Sequence, residues 1–70
     1  MNRTAVESST IRAVGYDPAS EVLEVEFNNG GVYRYSGVTS KIHGEMMAAQ
    51  SIGKFFAANV RKQFSFSRVV

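Results

Sequence analysis

Between Val22 and Tyr35 the chain alternates with a period of two. Leu23, Val25 and Phe27 are apolar, with Glu24 and Glu26 between them. Tyr33 and Tyr35 continue the apolar phase on a second arm, with Arg34 between. Such alternation marks half-buried strands, because successive side chains point to opposite faces. The intervening Asn28-Asn29-Gly30-Gly31 supplies residues tolerant of positive φ, so the segment reads as a β-hairpin. A two-residue Asn29-Gly30 loop would pair Glu26 with Tyr33 and set the two faces against each other. A three-residue loop, Asn29-Gly30-Gly31, pairs Phe27 with Tyr33, Val25 with Tyr35 and Glu26 with Arg34. It matches a type I turn followed by a glycine bulge and is the preferred register.

Upstream, Ser9 to Tyr16 reads as a first strand and Asp17-Pro18-Ala19-Ser20 as a turn. The best phase sets Ile11 and Ala13 beside Phe27 and Val25. Arg12 then lies beside Glu26, giving an Arg12–Glu26–Arg34 row on a solvated outer face. Downstream the period changes. Thr39 or Ser40 can cap a helix in which Ile42, Met46 and Ala49 form one stripe, although Gly44 weakens it. Ser51 can cap a second helix, with Ile52, Phe55, Phe56, Asn59 and Val60 facing inward. Phe64 to Val69 alternates again and reads as a short closing strand, or else as an extended tail on the core. The expected fold is α+β: a three-stranded antiparallel meander over about 9–16, 21–28 and 32–36, two short helices over about 40–49 and 52–62, and a short C-terminal strand. The expected core is Ile11, Leu23, Val25, Phe27, Tyr33, Tyr35, Ile42, Met46, Phe55, Phe56 and Val60. Residues 1–7 read as a flexible polar lead-in and 8–70 as one domain.

With 70 residues there is room for one small domain, burying only ~60% of its unfolded surface. Without cysteine it has no disulfide or thiolate metal site, and with one histidine, His43, it has no multi-histidine zinc site. No apolar run approaches a membrane span, and no secretory signal opens the chain, so a cytoplasmic location is expected. The net charge of +2 is unevenly placed. Residues 1–38 carry three arginines against five carboxylates. Residues 39–70 carry Lys41, Lys54, Arg61, Lys62 and Arg68 against Glu45 alone. That asymmetry points toward a polyanionic partner.

Catalytic patterns are weak. Glu24 and Glu26 share a strand face, but nothing apolar there would raise a carboxyl pKa. The serines lack a nucleophile motif, and His43 reads as a surface or partly buried helix residue. The glycine pair lacks the lysine and following helix of a phosphate loop. The expectation is a non-enzyme without cofactor or metal.

An ordered set of segments carries a resemblance. It comprises Ser8-Ser9-Thr10-Ile11, Val14-Gly15-Tyr16-Asp17, Leu23 to Phe27, and Gly31-Val32-Tyr33-Arg34-Tyr35. Ser51-Ile52-Gly53-Lys54-Phe55-Phe56 and Phe64-Ser65-Phe66 complete it. Over about residues 8–69 the chain resembles the KTSC domain, which also occurs at the C-terminus of some lysyl-tRNA synthetases, with Tyr33 and Tyr35 as the family's Tyr-x-Tyr. The resemblance implies a small bacterial or phage protein with no described catalytic residues, and it suggests RNA binding. The chain departs from the family where phenylalanines replace more usual tyrosines near its end.

The leading expectation is therefore a non-catalytic binding module for RNA. Lys54, Arg61, Lys62 and Arg68 would contact phosphates. Phe66 with Phe64, or Tyr33 with Tyr35, would stack on bases, although the phase of both tyrosines equally makes them core. The alternative is a protein-interaction module acting through a sheet edge or a homodimer interface, with Met46-Met47 as an adaptable patch.

Overall fold

The central hairpin turns at Asn28-Asn29-Gly30, one residue earlier than the sequence register places it. In the computed structural model, which describes residues 2–70, Gly30 adopts φ +95°. Its N–H donates to the Phe27 carbonyl at 2.9 Å, and the Phe27 N–H donates to the Gly31 carbonyl at 2.8 Å. This is the expected type I turn with a glycine bulge, on a different triplet. Moving the loop by one residue shifts every cross-strand pair by two. Leu23 therefore pairs with Tyr35, Val25 with Tyr33 and Glu24 with Arg34. The expected pairs Phe27–Tyr33, Val25–Tyr35 and Glu26–Arg34 are replaced, but a shift of two leaves both faces as expected.

Five antiparallel strands form one meander in chain order: β1 Arg3–Ala5, β2 Ile11–Asp17, β3 Val22–Phe27, β4 Val32–Ser36 and β5 Phe66–Arg68. Two helices, α1 Ser40–Ala48 and α2 Ile52–Asn59, intervene between β4 and β5. The fold is α+β, with more strands than the three-stranded meander and closing strand expected. The extra strand is β1, from the segment read as a polar lead-in. It pairs Arg3 with Gly15 and Ala5 with Ala13.

Between β2 and β3 the Ile11–Phe27 pair is as expected, but the register then shifts. Beyond the irregularity at Arg12, Val14 rather than Ala13 lies beside Val25, and Ala13 lies beside Glu26. A bulge inserts one residue and inverts the phase after it. Val14 thus enters the core, while Ala13 is buried on the opposite face.

The apolar face carries Ile11, Val14, Leu23, Val25 and Tyr35. Met46 from α1, Phe56 from α2, Val60 and Val38 close over it. Val38, absent from the expected core, is fully buried. Its N–H donates to the Glu21 carbonyl at 2.9 Å, and its carbonyl accepts the Tyr16 hydroxyl at 2.6 Å. Phe27, Tyr33, Ile42 and Phe55 pack around this centre, partly buried. Thr39 caps α1 by accepting the Ile42 N–H, and Ser51 caps α2 by accepting the Lys54 N–H. The second helix ends at Asn59, short of the expected Lys62. The Asn59 amide bonds back to the Phe55 carbonyl, and the Arg61 N–H reaches the Phe56 carbonyl at 2.9 Å. These bonds end the ladder of α2, leaving Arg61 and Lys62 on the turn that follows.

On the outer face one row runs Arg3, Gly15, Glu24, Arg34 across β1 to β4. Gly15 has no side chain, so Arg3 spans β2 and its Nε lies 3.4 Å from Glu24 Oε2. Arg34 Nε donates to the other carboxylate oxygen at 2.8 Å. Arg3 and Arg12 reach Glu26 at 3.9 and 3.7 Å. The expected row of three is thus a chain of five charges in which Glu24, not Glu26, is Arg34's partner. Glu24 is 4% exposed, so a position expected on a solvated face is buried and doubly paired.

Two outcomes follow from this packing. Replacing Arg34 by Met removes a short charge-assisted bond to a buried carboxylate and lowers stability by about 1–2 kcal/mol. Replacing Arg12 by Met removes a longer exposed pair and an exposed bond to the Asn28 carbonyl at 3.1 Å, and costs no more than about 0.5 kcal/mol. Urea denaturation of both variants measures the difference. Gly44 lies in the interior of α1 and a Cβ there would meet nothing within 4 Å. Gly44→Ala therefore raises stability by about 1 kcal/mol in the same assay.

Candidate nucleic-acid interface

Four structural elements converge on one groove. Phe27, Tyr33 and Tyr35 come from β3 and β4, Phe66 from β5, and Phe56 and Ala57 from α2. Arg61 and Lys62, on the turn after α2, stand at its edge, with Thr10 and Asn29 as further polar lining. The groove has a volume of about 610 Å³, within the size range of ligand sites.

Its aromatic rings are held by one another. Phe56 meets Tyr35 at 5.2 Å and Phe27 at 5.5 Å between centroids, both nearly edge to face. Phe66 tilts against Tyr33 at 5.7 Å and Tyr35 at 5.6 Å. Phe27 stands edge-on to Tyr33 at 5.6 Å. Such contacts stabilise beyond area burial and fix ring orientation. Phe66 nevertheless remains 58% exposed. The Arg68 guanidinium carbon lies 5.8 Å from the Tyr33 ring centroid, within cation–π range, and Arg68 Nε donates to the Val70 carbonyl.

The residues singled out in the sequence are therefore only partly gathered. Arg61, Lys62 and Phe66 line the same groove, and Arg68 lies on the Tyr33 wall. Lys54 lines a neighbouring depression of about 470 Å³ with Ser8, Ser9, Thr10 and Ser51. Thr10, Gly53 and Ala57 border both hollows, so Lys54 is adjacent to the groove rather than in it. Phe64 is partly buried against the core. Tyr33 and Tyr35 do both things between which the sequence left a choice: their rings belong to the core layer and they line the groove.

Burial raises the Tyr35 pKa above its ordinary value, the neighbouring Tyr33 adds to the rise, and Arg61 opposes it. The phenol is thus a neutral donor at physiological pH. A third depression, near Tyr16, Asp17, Ser20 and Arg34, has a more polar lining. Among the described residues no cluster of three or more histidine, cysteine, aspartate or glutamate side chains could hold a metal ion. None of their helices is long and apolar enough to cross a membrane.

The KTSC domain family model matches residues 7–64. The chain belongs to the KTSC domain family. The crystal structure of a KTSC domain protein from Yersinia pestis superposes with a TM-score of 0.95 at 36% identity, covering 99% of this chain and 97% of that one. An uncharacterised protein of Stutzerimonas stutzeri is 43% identical over 56 residues, 80% of this chain and 79% of its own length. A lysine–tRNA ligase of Nostoc sp. is 32% identical over 63 residues, 90% of this chain but 11% of the ligase. In that ligase the matching segment is a small part of a much longer protein.

His43 lies away from the groove, stacked on Tyr16 with centroids 4.4 Å apart and planes 9° from parallel. Burial lowers its pKa from the ordinary 6.5. The unfolded chain therefore takes up this proton at higher pH than the folded one, and stability falls as pH drops below about 6.5. The loss ends once the folded-state pKa is passed. Denaturation midpoints measured between pH 7.5 and 5 will show this decline, and His43→Phe will flatten it. Asp17, held low chiefly by the Ser20 hydroxyl and then by the Ala19 N–H, acts in a separate window below the ordinary carboxyl value of 3.8.

Proposed function

We propose that this KTSC domain is a non-catalytic cytoplasmic module that binds single-stranded RNA along the groove between α2 and β5. The observation that carries the reading is the coincidence of an exposed stacking surface, Phe66 beside Tyr33, with the cations Arg61, Lys62 and Arg68. Single strands are held by this pairing of aromatic faces for bases and positive charge for phosphates. Lys54, on the adjoining shelf, extends the positive track by one phosphate. The match to a lysine–tRNA ligase supports an RNA setting. The uneven charge distribution agrees, because every cation of this track lies in the basic half of the chain.

A second reading has its own observation. β5 is a sheet edge, and Phe66, Val69 and Val70 expose apolar surface along it. An open edge with exposed apolar residues can add a strand from another protein or from a second copy. Such an association would persist at high salt, whereas phosphate contacts weaken.

An NMR titration of labelled protein with a six-nucleotide single-stranded RNA, at low and high salt, tests the choice. Under the RNA reading, shifts cluster on Tyr33, Arg61, Lys62 and the 66–68 segment and fade as salt rises. The affinity falls with a log–log salt slope of about −3 for four phosphate contacts. Each single Lys54→Gln, Arg61→Gln, Lys62→Gln or Arg68→Gln change reduces that slope by about 0.7. Absence of shifts at low salt, or an unchanged slope in all four variants, rejects the RNA reading.

A further inference from the structure

Tyr35 is 4% exposed, yet its hydroxyl has no hydrogen-bond partner among the described residues. None of their fully buried side-chain N or O atoms lacks a partner, so this hydroxyl must retain an opening. Tyr35 lines the groove, and that is where the opening lies. Tyr16 shows the contrast: its hydroxyl is closed off by the Val38 carbonyl at 2.6 Å. A phenylalanine would satisfy the packing of position 35, since its contacts with Phe56 and Phe66 are made by the ring. Through that opening water can serve the hydroxyl in the free protein, and a ligand that enters the groove can take the water's place.

The cations and the hydroxyl occupy different parts of the site. Arg61 and Lys62 are exposed, whereas Tyr35 is set among the aromatic rings of the floor. A nucleotide has the same polarity, with a charged phosphate at one end and a flat, weakly polar base at the other. We infer that the groove takes one unpaired base edge-first, with its face against Phe66 and the Tyr33 side of the wall and its edge accepting a hydrogen bond from the Tyr35 hydroxyl, while the phosphate stays at the rim with Arg61 and Lys62. This inference rests on the RNA reading above and adds a specificity-determining residue to it. A base within a duplex cannot enter, because its edge is paired and its faces are stacked, so double-stranded RNA is excluded from the floor of the groove.

The test is a two-by-two comparison. Wild-type protein and Tyr35→Phe are each titrated with hexauridylate and with the same oligomer carrying abasic riboses at its two central positions. Wild type binds the intact oligomer about tenfold more tightly than the abasic one, from the stacking lost. Tyr35→Phe weakens binding of the intact oligomer about fivefold and leaves binding of the abasic oligomer and the salt slope unchanged. Equal effects of Tyr35→Phe on both oligomers, or no effect on either, overturn the role of the hydroxyl while leaving RNA binding in place. Wild type that binds the two oligomers equally overturns base insertion and leaves only phosphate tracking. Wild type that binds neither at low salt overturns the RNA reading itself. Phe66→Ala provides the control: its side chain is largely exposed, so the domain stays folded and the variant loses most of the preference for the intact oligomer.

Discussion

The turn at Asn28-Asn29-Gly30 sets the frame on which the other contacts depend. Gly30 takes a positive φ that side-chain-bearing residues adopt only with strain, and this fixes the closing bond between Phe27 and Gly31. The β3–β4 register follows, and from it two separate consequences. On the outer face Arg34 comes to lie beside Glu24, in the row that also contains Gly15 and Arg3. On the inner face Tyr33 and Tyr35 come to lie beside Val25 and Leu23, where Phe56 and Phe66 meet their rings. The turn is held from outside as well: the Asn28 N–H donates to the Thr10 carbonyl, and the Asn28 side chain to the Ser8 carbonyl. The loop before β2 and the central hairpin thus brace each other, and both border the groove.

The two faces treat polarity in opposite ways. Glu24 is buried on the outer face and takes a cation on each carboxylate oxygen, which offsets the cost of removing a charge from water. The network reaches from β1 to β4, so Arg3 recruits a sheet edge that hydrophobic packing alone does not secure. Every residue of β1 is exposed. The inner face is apolar and well packed, and there the Tyr35 hydroxyl has no protein partner. A domain that satisfies a buried carboxylate with two arginines but leaves a phenol open to a groove separates a structural polar group from one available to a ligand.

Much of this was legible in the chain. Alternation from Leu23 to Tyr35 gave the strands and their inner face, and Thr39 and Ser51 marked both helix starts. What escaped was information that pattern does not hold. A bulge at Arg12 leaves no trace in composition, yet it exchanges Ala13 for Val14 in the core. Val38 lies in a loop without periodicity and is buried because its two backbone groups meet Glu21 and Tyr16. Arg3 reads as part of a polar lead-in, and only the missing side chain of Gly15, which lies between it and Glu24 in the cross-strand row, makes its reach useful. The site was legible in pieces: Arg61, Lys62 and Phe66 were identifiable as cations and an aromatic, but their convergence depends on where α2 stops and β5 begins. Lys54, three residues after the Ser51 cap, belongs to the start of the same helix and so faces a different hollow.

Size explains why core and groove share residues. A 70-residue chain lacks the volume for a complete core and a separate binding site. The aromatic side chains resolve this, because a ring can pack with one edge or face and present another. Phe56 is buried and touches Phe27 and Tyr35, yet it also lines the groove. Binding and stability are then coupled in the same rings: a ligand that orders Phe66 against Tyr33 and Tyr35 also strengthens the attachment of the three-residue strand β5 to the sheet. Anything that binds the folded state alone raises its stability by mass action. The gain is concentrated at β5, the edge strand that borders the groove, whose residues are all exposed and whose local opening costs little. Hydrogen exchange at the β4–β5 amides is therefore the most sensitive reporter of an occupied groove, more so than the global melting temperature.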